Sequence, residues 1–231
     1  MLSLNGLTAW YKPHNNIIKN VSFSLNSNQV TGLLGINGSG KTTLLNVLAS
    51  VHKAYSLDFV YFNRKECCLS DTSYKLQRYV VFTEEQAFMY WTFTDYFKYI
   101  HKLYSRDIDT QYLEYLTHGF GFNDYVKYSL NKLSTGNKKK AFLITGFSLG
   151  LPLLIMDEPL DGLDFSSSEF LYEAINGYKS KGSILMSSHI AESIEKTCDN
   201  LLLLDNGYIK TIEIEDSIDI RTTMEVYRNV R

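Results

Sequence analysis

With 231 residues, 45% hydrophobic and 21% charged, the chain can bury a large core, and its composition argues against disorder. A formal net charge of −2 supplies no basic field of the kind that gathers nucleic acid, so nucleic acid is not expected as a partner. The cysteine count is three, with Cys67 and Cys68 adjacent, which suits reduced thiols better than a disulfide framework.

The opening "MLSLNGLTAWYKPHNN" has no basic segment followed by an apolar run, so no secretory signal is expected. Residues 2–8 and 18–26 alternate apolar and polar ("IIKNVSFSL"), which predicts an antiparallel sheet with one wet face. "QVTGLLGINGSGKTTLLNVLAS" then runs from a buried strand through a glycine turn into a helix. Short strands are expected at 58–63 and 78–85 ("RYVVFTEE"), and a tyrosine-rich helical pattern from Phe93 to about Phe120. A further helix covers "NKKKAFLITGFSLG", followed by the strand "LLIMDE", helix 166–180, strand "SILMSSH", helix 190–197, strand "NLLLLDN" and a last strand at 208–214.

Strands that alternate with helices and read as continuous apolar runs predict a mainly parallel sheet covered on both faces, with a helical insert from about 87 to 145 beside it. Residues 141–156 carry no charge, but such a stretch is shorter than the roughly 20 residues a spanning helix needs, and Gly150 and Pro152 interrupt it. It reads as a helix end, a turn and a buried strand, with no direct membrane span.

"GINGSGKT", Gly35 to Thr42, matches G-x-x-x-x-G-K-[ST] between an apolar strand and a helix. Its glycines Gly35, Gly38 and Gly40 let successive N–H groups curl around phosphates. Lys41 then reaches the outer phosphates, and the Thr42 hydroxyl is placed to bind Mg²⁺. With Asn37, Ser39 and Thr43, these residues make up the nucleotide cradle. "LPLLIMDE" supplies Asp157, expected to hold Mg²⁺ through water, and Glu158, expected to polarise an attacking water. Between the two, "KLSTGNKKK" reads as a helix N-terminus capped by small polar residues, which is either an anion-holding turn or an ordinary cap with a solvated lysine face.

In order and content these segments resemble the nucleotide-binding subunit of an ABC transporter, over nearly the whole chain. "GINGSGKTT" is similar to the family's Walker A, "LSTGN" to its LSGGQ signature, "LLIMDE" to Walker B, "PLDGLD" to the D-loop, and "SSH" to the switch histidine, His189. The resemblance implies an α/β P-loop NTPase fold of the RecA-like kind, with an antiparallel β subdomain and a helical signature subdomain. On that basis 1–86 and 146–231 form the nucleotide core and 87–145 the helical part of one domain.

It also implies ATP and Mg²⁺ as cofactors and a pair of subunits, formed with a second copy or a similar ATPase, in which Ser134, Gly136 and Asn137 of one bind the γ-phosphate held by the other. Thr135 and Asn137 depart from LSGGQ. His189 contacts that phosphate, and Asp164 helps join the subunits near Glu158. Tyr11 is expected to stack on adenine, with Trp10 as its rival, since alternation puts only one of them on the ligand side. The family's metal- or water-binding glutamine falls on Glu84, with Gln86 as the alternative. The four other histidines, His14, His52, His101 and His118, are expected at the surface.

A separate transmembrane permease is the implied partner. The crowded Phe88, Met89, Tyr90, Trp91 and Phe93 read either as its docking surface or as the core of the helical lobe. The expected location is cytoplasmic, at the inner face of the membrane through that permease. Glu84 and the short tail after Ile214 lean towards export. The rivals are a non-transport ABC switch and a monomeric P-loop small-molecule kinase.

Overall fold

The computed structural model describes residues 1–83 and 87–213. Glu84 and Gln86, the two alternatives for the glutamine position, lie outside the described residues.

Alternation does what it predicts at the amino end. β1 (Leu2–Lys12) and β2 (Asn15–Leu25) pair antiparallel, and Leu2, Leu4, Val21, Phe23 and Leu25 turn inward. β3 (Val30–Leu34) is buried throughout and leads through the glycine turn into helix α1 (Lys41–Leu48). The short β4 (Tyr55–Ser56) and β5 (Phe59–Phe62) both pair with β1, and β6 (Lys65–Glu66) pairs with β5, completing a five-stranded antiparallel sheet.

After the one-turn helix α2 (Thr72–Lys75), β7 (Arg78–Val81) enters a second sheet. It ends four residues before the expected boundary, level with the end of its partner strand, β8 (Leu153–Met156), because no ladder remains to extend it. The remaining elements are α3 (Phe93–Leu103), α4 (Thr110–Gly119), α5 (Thr135–Leu149), α6 (Phe165–Tyr178), β9 (Ser183–Ser187), α7 (Ala191–Thr197), β10 (Asn200–Asp205) and β11 (Tyr208–Glu213). The second sheet has the order β11-β10-β3-β9-β8-β7 and is parallel except for the β10–β11 hairpin.

The helical pattern expected from Phe93 to about Phe120 is present as two helices, α3 and α4. Ser105 adopts a left-handed φ of 51°, the chain loops over the end of α3, and Asp109 caps α4 by accepting from the Tyr112 N–H at 3.0 Å.

Alternate residues of the parallel strands feed two cores. Leu154, Met156, Ile184, Met186 and Leu201 pack with α3, α4, α5 and α6, whereas Leu153, Ile155, Leu185 and Leu202 pack with α1 and the antiparallel sheet. α5 lies inside the first core and is buried on nearly every side from Lys139 to Leu149, as an all-round apolar helix must be. Gly150, left-handed at φ 55°, ends it, and β8 follows, as the uncharged stretch predicts. No helix among the described residues is long and apolar enough to cross a membrane.

Candidate functional site: a glycine-loop cleft at the carboxyl ends of the parallel strands

The central strands β3, β8 and β9 run parallel, so their carboxyl ends open on one edge. Sites in open α/β sheets form there. A cleft of about 670 Å³ occupies this edge, lined by Tyr11, Asn37, Gly38, Gly40, Lys41, Thr42, Thr43, Asp157 and Glu158, together with Ile17, Asn46, Phe82 and Thr83.

The loop is held by backbone conformation. Gly38 and Gly40 take φ values of 81° and 107°, which L side chains rarely adopt, and a Cβ on Gly40 would press on Ile17 and Ile18. Lys41 is buried and bends back to donate to the Gly35 carbonyl at 2.8 Å. Ser39 is also buried, and its hydroxyl has no hydrogen-bond partner among the described residues; a side chain on Gly35 would strike it. The first N–H groups of α1 are free of intrahelical partners by construction, so the loop offers an anion a set of donors beside a lysine. This fits the phosphates of ATP.

Across the cleft, Asp157 is 2% exposed and accepts from Thr42 Oγ1 at 3.1 Å and from Ser187 Oγ at 2.6 Å. A hydroxyl and a carboxylate, both hard oxygen donors, converge here beside the phosphate loop, which is the donor set Mg²⁺ takes. Glu158 follows with φ 44°, and its N–H donates to Ser187 Oγ at 2.9 Å. Its carboxylate accepts from His189 Nδ1–H at 2.8 Å and from the His189 backbone N–H at 3.2 Å. Ligand atoms of Glu158, Asp161 and His189 lie within 4.8 Å of one another.

Tyr11 reaches the cleft; its hydroxyl is 3.3 Å from Thr43 Oγ1, and its ring lies edge-on to His52 at 4.7 Å. Trp10, its rival, does not line the cleft. Ser134 caps α5 by accepting from the Asn137 N–H at 3.2 Å. Gly136 lies against the D-loop backbone, where a Cβ would collide with the Gly162 carbonyl oxygen. Neither Ser134, Gly136 nor Asn137 lines the cleft. Asp164 is drawn into its own subunit, capping α6 through the Ser167 N–H at 2.9 Å and pairing with Lys140 Nζ at 2.7 Å. The lysine, aided by the Ser166 and Ser167 groups, holds the Asp164 carboxyl far below the usual carboxylate range.

The lysine run is not a solvated face. Lys139 and Lys140 are 4% and 6% exposed, because α5 enters the core within its first turn and a half. His101 is likewise no surface residue: it is 1% exposed, tilted over Phe97 at 4.4 Å, with Nδ1 3.3 Å from the Arg106 carbonyl. The loop after α3 folds over it. Ser187 and Lys139 were not identified from sequence as part of the site. The first had a signal in the two apolar runs: with Met156 paired to Met186, the next residues along the chain, Asp157 just past β8 and Ser187 at the end of β9, fall side by side.

Such a sheet, with a phosphate loop after its central strand and acids ending the strand two places away, defines a P-loop nucleotide-binding cassette. The family model described as ABC transporter matches residues 18–161. The chain is 35% identical over 227 residues to "Putative ABC transporter ATP-binding protein AlbC" of Bacillus subtilis, covering 96% of this chain and 95% of that one. It is 30% identical to "ABC-type transporter ATP-binding protein EcsA" of the same organism, over 91% and 85% of the two chains. A solved structure titled "Structure of ATP binding subunit of ABC transporter" superposes with a TM-score of 0.83 over 97% of this chain and 99% of that one; at 23% identity it shows the fold. The protein belongs to the ABC transporter ATP-binding family, whose members bind ATP and couple its hydrolysis to transport.

Proposed function

We propose that two copies, or one copy and a similar ATPase subunit, close around two ATP·Mg²⁺ and separate after hydrolysis, driving a membrane-spanning permease that is a separate chain. The observation that carries this reading is the composition of the cleft. It gathers Lys41, Thr42, Asp157 and Glu158 but none of the signature turn, whose cap faces elsewhere on the same subunit. A site complete in donors for the β-phosphate and metal, yet lacking the Ser134 and Gly136 turn, is completed by a partner's turn.

In this mechanism Glu158 takes a proton from the attacking water. His189, bonded to Glu158 through Nδ1, orients that carboxylate and reaches the γ-phosphate. Thr42 and Asp157 would hold Mg²⁺, which would supply positive charge beside the phosphates. Lys41 and the loop N–H groups position the phosphates, Tyr11 carries the adenine, and Asn37, Ser39 and Thr43 complete the cradle. Ser134, Gly136 and Asn137 face the partner's γ-phosphate, and Asp164 sets the D-loop at the junction.

We assign 1–86 and 146–231 to the nucleotide core with its β subdomain and 87–145 to the helical part. The protein lies on the cytoplasmic face of the membrane, held there by its permease. Export is the proposed direction, on the resemblance at Glu84. Glu84 also joins Thr42 and Asp157 in the proposed metal set.

Specific ATPase activity measured over rising protein concentration tests the pairing. A steep rise supports it, and a constant value from the lowest concentration overturns it. Glu158→Gln separates chemistry from assembly: turnover falls by at least about a hundredfold, while ATP shifts the variant to a dimer on a sizing column. Wild-type hydrolysis by that variant removes Glu158 from its role.

A further inference from the structure

Lys139 is buried on α5, and its ammonium donates to three backbone carbonyls, those of Asp157 and Glu158 at 3.2 Å each and Phe82 at 3.4 Å. An ammonium has three protons and no acceptor, so these three oxygens satisfy it completely. Burial pushes its amine below the ordinary lysine range, and the charges of Asp161, Asp157 and Glu158 oppose that push. A cation brought so far from water carries a desolvation cost that a neutral side chain of similar volume would not.

What it holds is a strained residue. Glu158 is not glycine, yet its φ is 44°, a left-handed conformation that persists in such a residue only where the surroundings impose it. The peptide groups on both sides are pinned: the Glu158 N–H by Ser187 Oγ and the Glu158 carbonyl by Lys139. That backbone turn swings the carboxylate onto His189. The carbonyl before it, that of Asp157, is held by Lys139 and by Thr83 Oγ1 at 3.2 Å.

We propose that Lys139 is a positioning residue for hydrolysis: its three-carbonyl clamp fixes the left-handed turn at Glu158, and so the direction of the carboxylate, and ties that turn to the helix that begins with Ser134. The inference rests on Glu158 being the group that activates water. It has a consequence for pairing. The first turn of α5 serves the nucleotide held by the partner, while Lys139, one turn further on, holds the hydrolytic residue of its own subunit. A shift of α5 when one composite site closes is thereby passed to the Glu158 of the other.

The test compares full-length Lys139→Met, Lys139→Gln and, as control, Glu158→Gln, reading kcat and KM for Mg²⁺·ATP and the affinity for the fluorescent trinitrophenyl analogue of ATP. Lys139→Met is expected to lower kcat by about tenfold or more, with KM and analogue affinity within about twofold of wild type. Lys139→Gln, which offers two N–H donors in a similar volume, is expected to lose only a few-fold in kcat, again at unchanged affinity. If the methionine variant does not fold, the selective loss in the glutamine variant decides the matter. Wild-type kcat in the folded Lys139 variants beside an inactive Glu158→Gln overturns this inference and leaves the role of Glu158 standing. Parallel loss of kcat and affinity marks a merely structural lysine and also overturns it. Full activity in Glu158→Gln overturns the reading beneath both.

Discussion

Ser187 makes two bonds with one hydroxyl, donating to Asp157 Oδ1 at 2.6 Å and accepting from the Glu158 N–H at 2.9 Å, wholly out of water. Ser187→Ala leaves a buried carboxylate oxygen and a backbone donor with less than they need, which costs about 1–3 kcal/mol. Urea unfolding should show that loss, and kcat should fall with it because Glu158 is no longer pinned from its amino side. His101 gives a pH-dependent counterpart. Burial depresses its pKa below the ordinary 6.5, against the backbone acceptors at Arg106 and Asp107 that favour the charged form. The unfolded chain therefore binds the extra proton first, so the stability from this group is present above 6.5 and is lost as pH falls through the depressed value. The urea midpoint should drop as pH falls below 6.5, and His101→Phe, which keeps a ring over Phe97, should flatten that part of the profile. Neither His101 nor Lys139 was legible in the sequence as a buried group. Their burial comes from a loop folding over α3 and from α5 entering the core, which local spacing does not encode.

At the level of elements, the signature helix and the D-loop are packed as one unit. Gly136 lies so close to the Gly162 carbonyl that no Cβ fits, and Lys140 of α5 pairs with Asp164, the cap of α6. Gly136→Ala should force the start of α5 away from the loop. The expected result is loss of ATPase activity by at least about tenfold, as displacements of the order of 1 Å produce, with affinity for the ATP analogue unchanged because the cleft does not include this turn. Loss of analogue binding would show instead that the turn supports the cradle of its own subunit. Periodicity located the buried strands β3, β8, β9 and β10, the glycine loop and α5, because each is long or strongly patterned. It found the helical pattern of α3 and α4 but did not place the break between them, where Ser105 turns left-handed and Asp109 caps α4. It also ran β7 past Val81, because a strand's length is set by its neighbour in the sheet, which no local window contains.

At the scale of the whole molecule, motif order made the resemblance to ABC cassettes readable, whereas the adjacency of Asp157, Ser187 and Thr42 needed the sheet to bring 145 residues of chain to one edge. The remaining claim is that the molecule is half of two sites, and twofold symmetry makes it testable without any structure. A Lys41→Ala chain keeps its signature turn but cannot cradle phosphate; a Ser134→Arg chain keeps its cradle but presents a bulky cation where the cap should face the partner's nucleotide. Each variant alone should be inactive in both sites of its homodimer. Mixed in equal amounts, random pairing across an isologous interface makes half the dimers heterodimers, and in each of these one site combines the intact cradle of the Ser134→Arg chain with the intact turn of the Lys41→Ala chain. Activity should therefore return to roughly a quarter of wild type if the two sites turn over independently, and to less if, through Lys139, each site waits on the other. No recovery in the mixture, with both variants folded and shown to pair, would leave two arrangements: cradle and signature turn serving the same nucleotide within one chain, or two sites that turn over only together.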